Sequence, residues 1–349
     1  HCRVGTSNPL VRITSGCWLL HRTHHRYTCA FQQKEATMAP VSLQAFPSLQ
    51  ELQPLTTITD WIRYTASQME RHECFYGHGF ADPISEAQYL VLRTLQLDWD
   101  TPEIFYSSTL LPDEKALVLA NIEQRCVAKV PTAYLLQEAW FCNEPFRVTP
   151  DVLIPRSPIA ELIETRFEPW LVQQPRQLLD LCTGSGCIGI AMARAFPECH
   201  VDISDLSEAA VDIAIDNVSA KDLGYQVDVF QGDLFQALPD TRYDLIVSNP
   251  PYVDAEDIDD MPAEFAHEPR LGLAAGDDGL DIVRRILLDA PNYLTEDGWL
   301  VCEVGNSAVT LMETFADVPF QWPEFTAGGH GVFVISAQDL KAHQHVFLQ

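Results

Sequence analysis

From residue 177 onward the chain alternates between short apolar runs and helical stretches, and this alternation limits the folds that it can adopt. Apolar runs typical of buried strands begin near residues 177, 200, 226, 243 and 298, and two more precede residue 336. Strands that alternate with helices form a parallel sheet with helices on both faces, and ligands bind beyond the carboxyl ends of its strands. We therefore predict an α/β domain over residues 159–340, with a Rossmann-like, mostly parallel sheet of seven strands.

A glycine-rich segment follows the first predicted strand. Residues 182–189 read Cys-Thr-Gly-Ser-Gly-Cys-Ile-Gly, which fits the pattern G-x-G-x-x-G between a strand and a helix. Glycines let the backbone approach a ligand, and Asp205 at the end of the second strand could accept hydrogen bonds from two ribose hydroxyls. The pattern fits a nicotinamide dinucleotide and S-adenosylmethionine alike, because both contain adenosine. A tight strand-to-helix turn without a ligand is the structural alternative.

Two further segments lie at the same predicted edge of the sheet. Asp180 stands at the end of the first strand, below the glycine loop, and Gly-Asp-Leu-Phe at residues 232–235 ends the third strand. An acid with apolar neighbours suits an adenine, which offers an amino donor and two apolar faces. We therefore assign Asp180, Asp233 and Leu234 to the predicted cofactor site.

The fourth predicted strand ends in Asn249-Pro250-Pro251-Tyr252. An amide or an exocyclic amine is a poor nucleophile, because its lone pair is delocalised, but two acceptors could orient its N–H groups. The Asn249 side chain and the Pro250 carbonyl are such acceptors, the prolines hold the turn rigid, and Tyr252 offers a flat face for stacking. This motif favours S-adenosylmethionine over a nicotinamide cofactor and predicts methyl transfer to nitrogen. The simpler interpretation is a proline turn that ends a strand.

Taken together, these motifs resemble those of the HemK-like protein N(5)-glutamine methyltransferases, from about Leu55 to Ser336. The likeness also covers Val152–Ile163 and His267–Leu287. Within the family, Ile-Pro-Arg-Ser-Pro at residues 154–158 is similar to the branch that modifies ribosomal protein L-three, whereas the release-factor enzymes usually carry Arg-Pro-x-Thr-Glu there.

The resemblance implies a class I S-adenosylmethionine-dependent methyltransferase that modifies the side-chain amide of a glutamine. It also implies two sets of site residues. The cofactor would contact Thr183, Gly184, Ser185, Gly186, Asp205, Leu234 and Asn249. The glutamine amide would be held by Asn249, Pro250, Pro251 and Tyr252. The chain has Cys182 where the family often has glycine, which leaves slightly less room.

The charge of the chain bears on its partners. It carries 49 acids against 22 Lys and Arg, a formal net charge of −27. Such a field favours a basic protein, such as an unassembled ribosomal protein, and opposes stable binding of nucleic acid. The acids that follow the motif form either a rim that attracts this partner or a solvated loop. They are Asp254, Glu256, Asp257, Asp259, Asp260, Glu264 and Glu268.

Several alternatives stay open at this point. A release factor could be the substrate in place of the ribosomal protein. Alternatively, the chain could methylate amino groups of adenine or guanine in nucleic acid, because the same motif also binds flipped bases. A nicotinamide oxidoreductase would leave the Asn-Pro-Pro-Tyr motif unexplained, and a non-enzymatic adaptor could bind a ribosomal protein without chemistry. Arg156 is predicted to anchor the acidic hairpin or to fix an active-site loop. His267–Arg270 is interpreted as a structural turn, with a catalytic dyad as the alternative.

The region before residue 159 is predicted to have three parts. Residues 1–54 form a non-native or disordered lead-in, with Met38 as a possible true start, because residues 1–37 carry five Lys or Arg and one acid. A transit peptide, or a metal site at Cys17, His21, His25 and Cys29, is the alternative for that segment. Residues 55–133 are predicted to form a helical substrate-recognition domain, and residues 134–158 a hairpin linker.

Cofactors other than S-adenosylmethionine and a membrane location are not expected. The ten cysteines form no CxxC pair, which is typical of reduced thiols in a cytoplasmic protein. No run of about 18 apolar residues exists, so no membrane span is predicted. Gly-Asp-Asp-Gly at residues 276–279 is spaced loosely like a metal loop but lacks further ligands, and no metal is assigned.

Overall fold

The computed structural model describes residues 46–254, 257–258, 260–326 and 328–348. The interpretations of residues 1–37, including Met38 as a start, lie outside these residues. The described chain begins with a group of helices, continues through a small hairpin and ends in a sheet that is covered by helices on both faces.

Three helices dominate the first region: α1 (Ile58–Arg71), α2 (Pro83–Thr94) and α3 (Pro112–Cys126). The sequence sets where α1 starts, because Thr57 and Asp60 form a capping box in which each side chain accepts from the other's backbone N–H. Their apolar faces pack into a core of their own around Trp61, Leu90 and Ile122, all fully buried. The predicted helices are therefore present in the structure.

A short helix, α4 (Thr132–Leu136), leads into a two-stranded hairpin. Strand β1 (Glu138–Phe141) pairs antiparallel with β2 (Glu144–Arg147). Cys142 and Asn143 connect them with φ values of 46° and 62°. Two central residues with positive φ match the right-handed twist of a hairpin, so the predicted hairpin forms through a tight two-residue turn.

The central sheet has six strands in the described chain, in the order β5-β4-β3-β6-β7-β8. The first five are parallel, and β8 runs antiparallel to β7. The strands are β3 (Gln177–Leu181), β4 (His200–Asp205), β5 (Val227–Gln231), β6 (Tyr243–Ser248), β7 (Leu294–Glu303) and β8 (Val332–Ser336). The Rossmann-like α/β class is confirmed.

The strand count differs from the predicted seven. Where the seventh strand is expected, Gln321 makes a single antiparallel bridge with Val334. Pro319 and Pro323 flank this position on both sides. Proline has no backbone N–H to donate, so the pairing does not extend along the segment.

Side chains of the sheet alternate between two cores. Leu178 of β3 packs with the helices on one face, whereas Leu179 and Leu181 pack on the other. The helices of the sheet region are α5 (Ile159–Glu164), α6 (Cys187–Ala195), α7 (Glu208–Ala220), α8 (Asp281–Asp289), α9 (Ala308–Thr314) and α10 (Ala337–His343). The strand ends are thereby held on a rigid, doubly covered sheet.

Buried ion pairs connect the first helices to the segment that follows β6. Arg125 of α3 is 1% exposed, and its Nε lies 2.6 Å from Glu86 Oε1 while its Nη1 lies 2.9 Å from Glu264 Oε1. Its Nη2 also donates to the Phe75 carbonyl. Charges removed from water need such complete pairing to be tolerated.

A second buried cluster lies close by. Glu268 receives two hydrogen bonds from Arg156, at 2.6 and 2.8 Å, and its Oε1 lies 2.8 Å from His78 Nε2. The Arg156 guanidinium also stacks 5.2 Å above the centre of the Phe265 ring. The region before the hairpin and the segment after β6 are therefore held together through charged groups.

Replacement of Arg125 by Met should lower the free energy of unfolding by about 3–5 kcal/mol, because Glu86 and Glu264 would stay buried without a cation. Urea denaturation measures this loss. Arg147→Met is the matched control, since its pair with Asp216 is exposed and should contribute at most about 1 kcal/mol. Equal losses in the two variants would contradict the assignment.

The buried Glu268 should make the free energy of unfolding depend on pH in the acidic range. Burial raises the pKa of Glu268, but the Arg156 charge and the hydrogen bonds from His78 and Arg156 outweigh it and lower the pKa to about 2. A carboxyl with a depressed pKa stabilises the fold above its unfolded pKa of about 4.3, and this contribution is lost as the pH falls toward 2. Glu268→Gln should therefore show a smaller loss of unfolding free energy between about pH 5 and pH 3 than the unmodified chain. Parallel curves would contradict this.

Candidate active site at the carboxyl edge of the sheet

A cavity of about 280 Å³ lies at the carboxyl ends of β3 to β6. The segment after the hairpin and the loops that follow four strands form most of its wall. These segments are residues 151–157, 182–185, 187–188, 204–207, 232–234, and Asn249 with Pro251. The ligand site of a parallel α/β sheet is expected at this edge.

The loop between β3 and α6 adopts a left-handed backbone at several positions. Gly184 has a φ of 54° and Gly186 a φ of 80°. At Gly186 an added Cβ would also lie 3.3 Å from the Ala214 Cβ, so glycine lets the loop pack closely on α7. Cys182 has a φ of 58° without being glycine, which adds backbone strain next to the cavity.

Asp205 connects this loop to the end of β4. Its carboxylate accepts hydrogen bonds from the backbone N–H groups of Gly184 and Ser207, each at 2.9 Å. Burial raises the pKa of Asp205, although these backbone donors oppose the rise. The carboxyl group thus stands on the cavity wall in a fixed orientation, where a ligand hydroxyl could reach it.

Asp180 lies below the loop and is fully buried, outside the cavity wall. Its Oδ2 accepts from the Thr183 hydroxyl at 2.5 Å and from the Gly189 N–H at 2.9 Å, and burial raises its pKa to about 7. The predicted direct contact with a cofactor is therefore corrected, because the backbone turns after Leu181 and leaves Asp180 facing α6. Asp180 holds the loop from beneath.

The other predicted residues divide into two groups. Gly186 and Pro250 are buried behind the wall, and Tyr252 lies beyond it. Those on the cavity wall are Thr183, Gly184, Ser185, Asp205, Asp233, Leu234, Asn249 and Pro251. Residues from four separate parts of the sequence therefore meet at one surface.

Asn249 presents an unsatisfied acceptor at this surface. Its Oδ1 is buried and has no hydrogen-bond partner among the described residues, and the hydroxyls of Ser185 and Ser204 share this property. All three side chains belong to the cavity wall. A buried polar atom without a partner costs roughly 1–3 kcal/mol, so such a cluster indicates a place for a polar ligand.

Tyr252 is fixed at both ends of the residue. Its hydroxyl donates to Glu303 Oε1 at 2.8 Å, and its backbone carbonyl accepts from the Ser307 hydroxyl at 2.9 Å. Its ring packs directly on Gly305, where an added Cβ would lie 2.5 Å from a ring carbon. The aromatic face after the two prolines is therefore rigidly placed.

Three residues of the site were not predicted from the sequence. Arg285 of α8 lines the cavity and pairs with Asp233 at 2.8 Å. Glu303 holds Tyr252, and His78 reaches Glu268 from the helical region. The sequence signal for Arg285 was its place as the second of two adjacent arginines in an amphipathic helix. Glu303 is an acid at the end of an apolar strand, which is the kind of signal that indicated Asp205.

The acids after the motif do not all form a rim. Glu264 and Glu268 are buried in the two ion clusters, so their assignment to an exposed rim was wrong. Glu256 and Asp259 lie outside the described residues. Asp260 is exposed, and Asp254 caps a turn by accepting from the Asp257 N–H at 2.7 Å.

Arg156 lines the cavity and binds Glu268, so it connects the cavity wall to the acidic segment that follows the motif. The predicted turn at residues 267–270 contains that Glu268 anchor. Among the described helices, none combines the length and the apolar character that crossing a membrane requires.

Comparison with known proteins shows the family of the chain. The family model described as "Methyltransferase small domain" matches residues 163–270. The ribosomal protein uL3 glutamine methyltransferase of Francisella tularensis subsp. tularensis is 42% identical over 295 residues, which cover 84% of this chain and 94% of that protein. The protein of the same name from Xylella fastidiosa is 46% identical over 290 residues, which cover 83% of this chain and 93% of that protein. The chain therefore belongs to the family of the ribosomal protein uL3 glutamine methyltransferases.

Proposed function

We propose that this chain transfers a methyl group from S-adenosylmethionine to the side-chain amide nitrogen of one glutamine in ribosomal protein uL3. The observation that carries the proposal is the buried, unpartnered Oδ1 of Asn249 on the cavity wall. An acceptor left unpaired there is poised for a donor that arrives with a substrate. Family membership and two relatives with this name support the substrate.

The residues on the cavity wall fit S-adenosylmethionine. The Asp205 carboxylate is placed to accept from ribose hydroxyls, and the loop at Gly184 allows close approach of the nucleoside. Asp233, with Leu234 beside it, suits the amino group and the apolar faces of an adenine. When bound, the cofactor supplies an electrophilic methyl group on a positively charged sulfur.

The chain's own residues would orient the nucleophile. Asn249 Oδ1 and the Pro250 carbonyl would each accept one N–H of the glutamine amide, which fixes the nitrogen and stabilises the positive charge that develops as the methyl arrives. Neither acceptor is a base, so the displaced proton passes to water. Pro250 and Pro251 offer no competing N–H, and the Tyr252 ring would cover the planar amide.

Charge supports a basic protein substrate. The net charge of −27 would attract a ribosomal protein before assembly and repel a nucleic acid backbone. We assign recognition of that protein to the helical region over residues 55–133, which is tied to the segment after the motif by Arg125 and by the Glu268 cluster. The seven described cysteines are all free, in keeping with action in the cytoplasm.

The substrate is tested by methyl transfer from labelled S-adenosylmethionine to three acceptors offered separately. These are unassembled ribosomal protein uL3, a peptide chain release factor and bare nucleic acid. We expect label on one glutamine of the ribosomal protein, located by mass spectrometry. Label on the release factor alone would show that the substrate is a release factor and not the ribosomal protein. Label on nucleic acid alone would overturn the argument from the net charge.

Asn249→Ala should lower kcat about 100- to 1,000-fold, the usual cost of one preorganised group that stabilises developing charge. The Kd for S-adenosylmethionine, measured by calorimetry, should change by less than about tenfold, since most of the wall is intact. Gln344→Ala on the C-terminal side of α10 is the matched control, because the Gln344 amide bonds to the Leu288 carbonyl and belongs neither to the cavity wall nor to the helical region. Full turnover in Asn249→Ala would contradict the mechanism.

A further inference from the structure

Glu303 is a buried acid that the mechanism above does not use. It is the last residue of β7 and is 3% exposed. Both oxygens are occupied: Oε1 accepts from the Tyr252 hydroxyl at 2.8 Å and Oε2 from the Ser157 hydroxyl at 2.5 Å. Neither Glu303 nor Tyr252 lines the cofactor cavity, whereas Ser157 does.

The stability of the fold does not require a charged side chain at position 303. Burial raises the pKa of Glu303, and the two hydroxyl donors and the nearby Arg156 oppose that rise. Its neighbours Cys302 and Val304 are fully buried and apolar. A well-packed apolar side chain often stabilises such a position as well as a buried charge does, so a carboxylate here indicates a role other than stability.

The Tyr252 ring is the group on which this carboxylate acts. The Ser307 bond fixes the Tyr252 backbone, and Gly305 supports one face of the ring. The bond to Glu303 is made at the far tip of the side chain, and it therefore determines the direction in which the ring extends from the turn.

We propose that Glu303 is a positioning residue that holds the Tyr252 ring where it covers the substrate amide, an inference that rests on the proposed function. Through Ser157, the same carboxylate also links this ring to the cavity wall. Ser157 Oγ accepts from the Ile159 N–H at 3.1 Å, which orients its own proton toward Glu303. The cofactor wall and the substrate cover thus share one buried acceptor.

A double-mutant cycle between Glu303→Leu and Tyr252→Phe tests the inference. Each single variant should lower kcat on ribosomal protein uL3 roughly 10- to 100-fold, because a misplaced ring loses orientation of the amide. The kcat of the double variant should lie within about threefold of the kcat of the less active single variant, since both changes remove the same bond. Glu303→Gln should recover most of kcat, because its amide oxygen can still accept from the Tyr252 hydroxyl.

The Kd for S-adenosylmethionine should stay within about twofold in Tyr252→Phe, because that variant leaves the bond between Glu303 and Ser157 of the cavity wall in place. If Glu303→Leu does not fold, Tyr252→Phe alone tests the same bond, and unchanged kcat in that variant would overturn the inference. The inference would also be overturned if the two losses of kcat multiplied in the double variant, or if Glu303→Leu kept the kcat of the unmodified chain. Absence of methyl transfer by the unmodified chain would instead refute the proposed function.

Discussion

The parallel pairing of β3, β6 and β7 is the constraint on which the site depends. Leu181, Ser248 and Cys302 are register partners across these three strands, so they end at one level of the sheet. The residues that follow each of them are therefore brought to the same edge: Cys182 of the glycine loop, Asn249 and Glu303. Three segments far apart in the sequence supply the cofactor loop, the amide acceptor and the support of Tyr252 because the sheet aligns their strand ends.

Buried ion pairs hold the segment that follows the motif in place. Arg125 and Arg156 each bind an acid of the segment that follows the motif, and His78 joins the second pair from the helical region. The bonds between the two arginines and their carboxylates have fixed geometry and favour one arrangement of this segment. The same pairing removes Glu264 and Glu268 from the surface, which leaves fewer acids to attract a basic partner.

The alternation of strands and helices, the glycine loop and the Asn-Pro-Pro-Tyr turn were predictable, because each single strand, helix or motif is encoded by a short stretch of consecutive residues. The ion clusters were not, since Arg125 and Glu264 are 139 residues apart. The position of Asp180 under the loop depends on how the backbone turns after β3, and Pro319 and Pro323 reduced the seventh strand to one bridge. Glu303 could be placed at the same edge as the end of an apolar strand, but its bonds to Tyr252 and Ser157 could not be predicted, because these residues are 51 and 146 positions away.

The most direct measurement is a crystal structure of the chain with S-adenosylhomocysteine and a glutamine-containing segment of ribosomal protein uL3. We expect the glutamine amide nitrogen within about 3 Å of both Asn249 Oδ1 and the Pro250 carbonyl oxygen, with the Tyr252 ring over the amide and the cofactor sulfur on the opposite side. A glutamine amide held by other groups, with Asn249 Oδ1 still unpaired, would contradict the proposed role of this strand end.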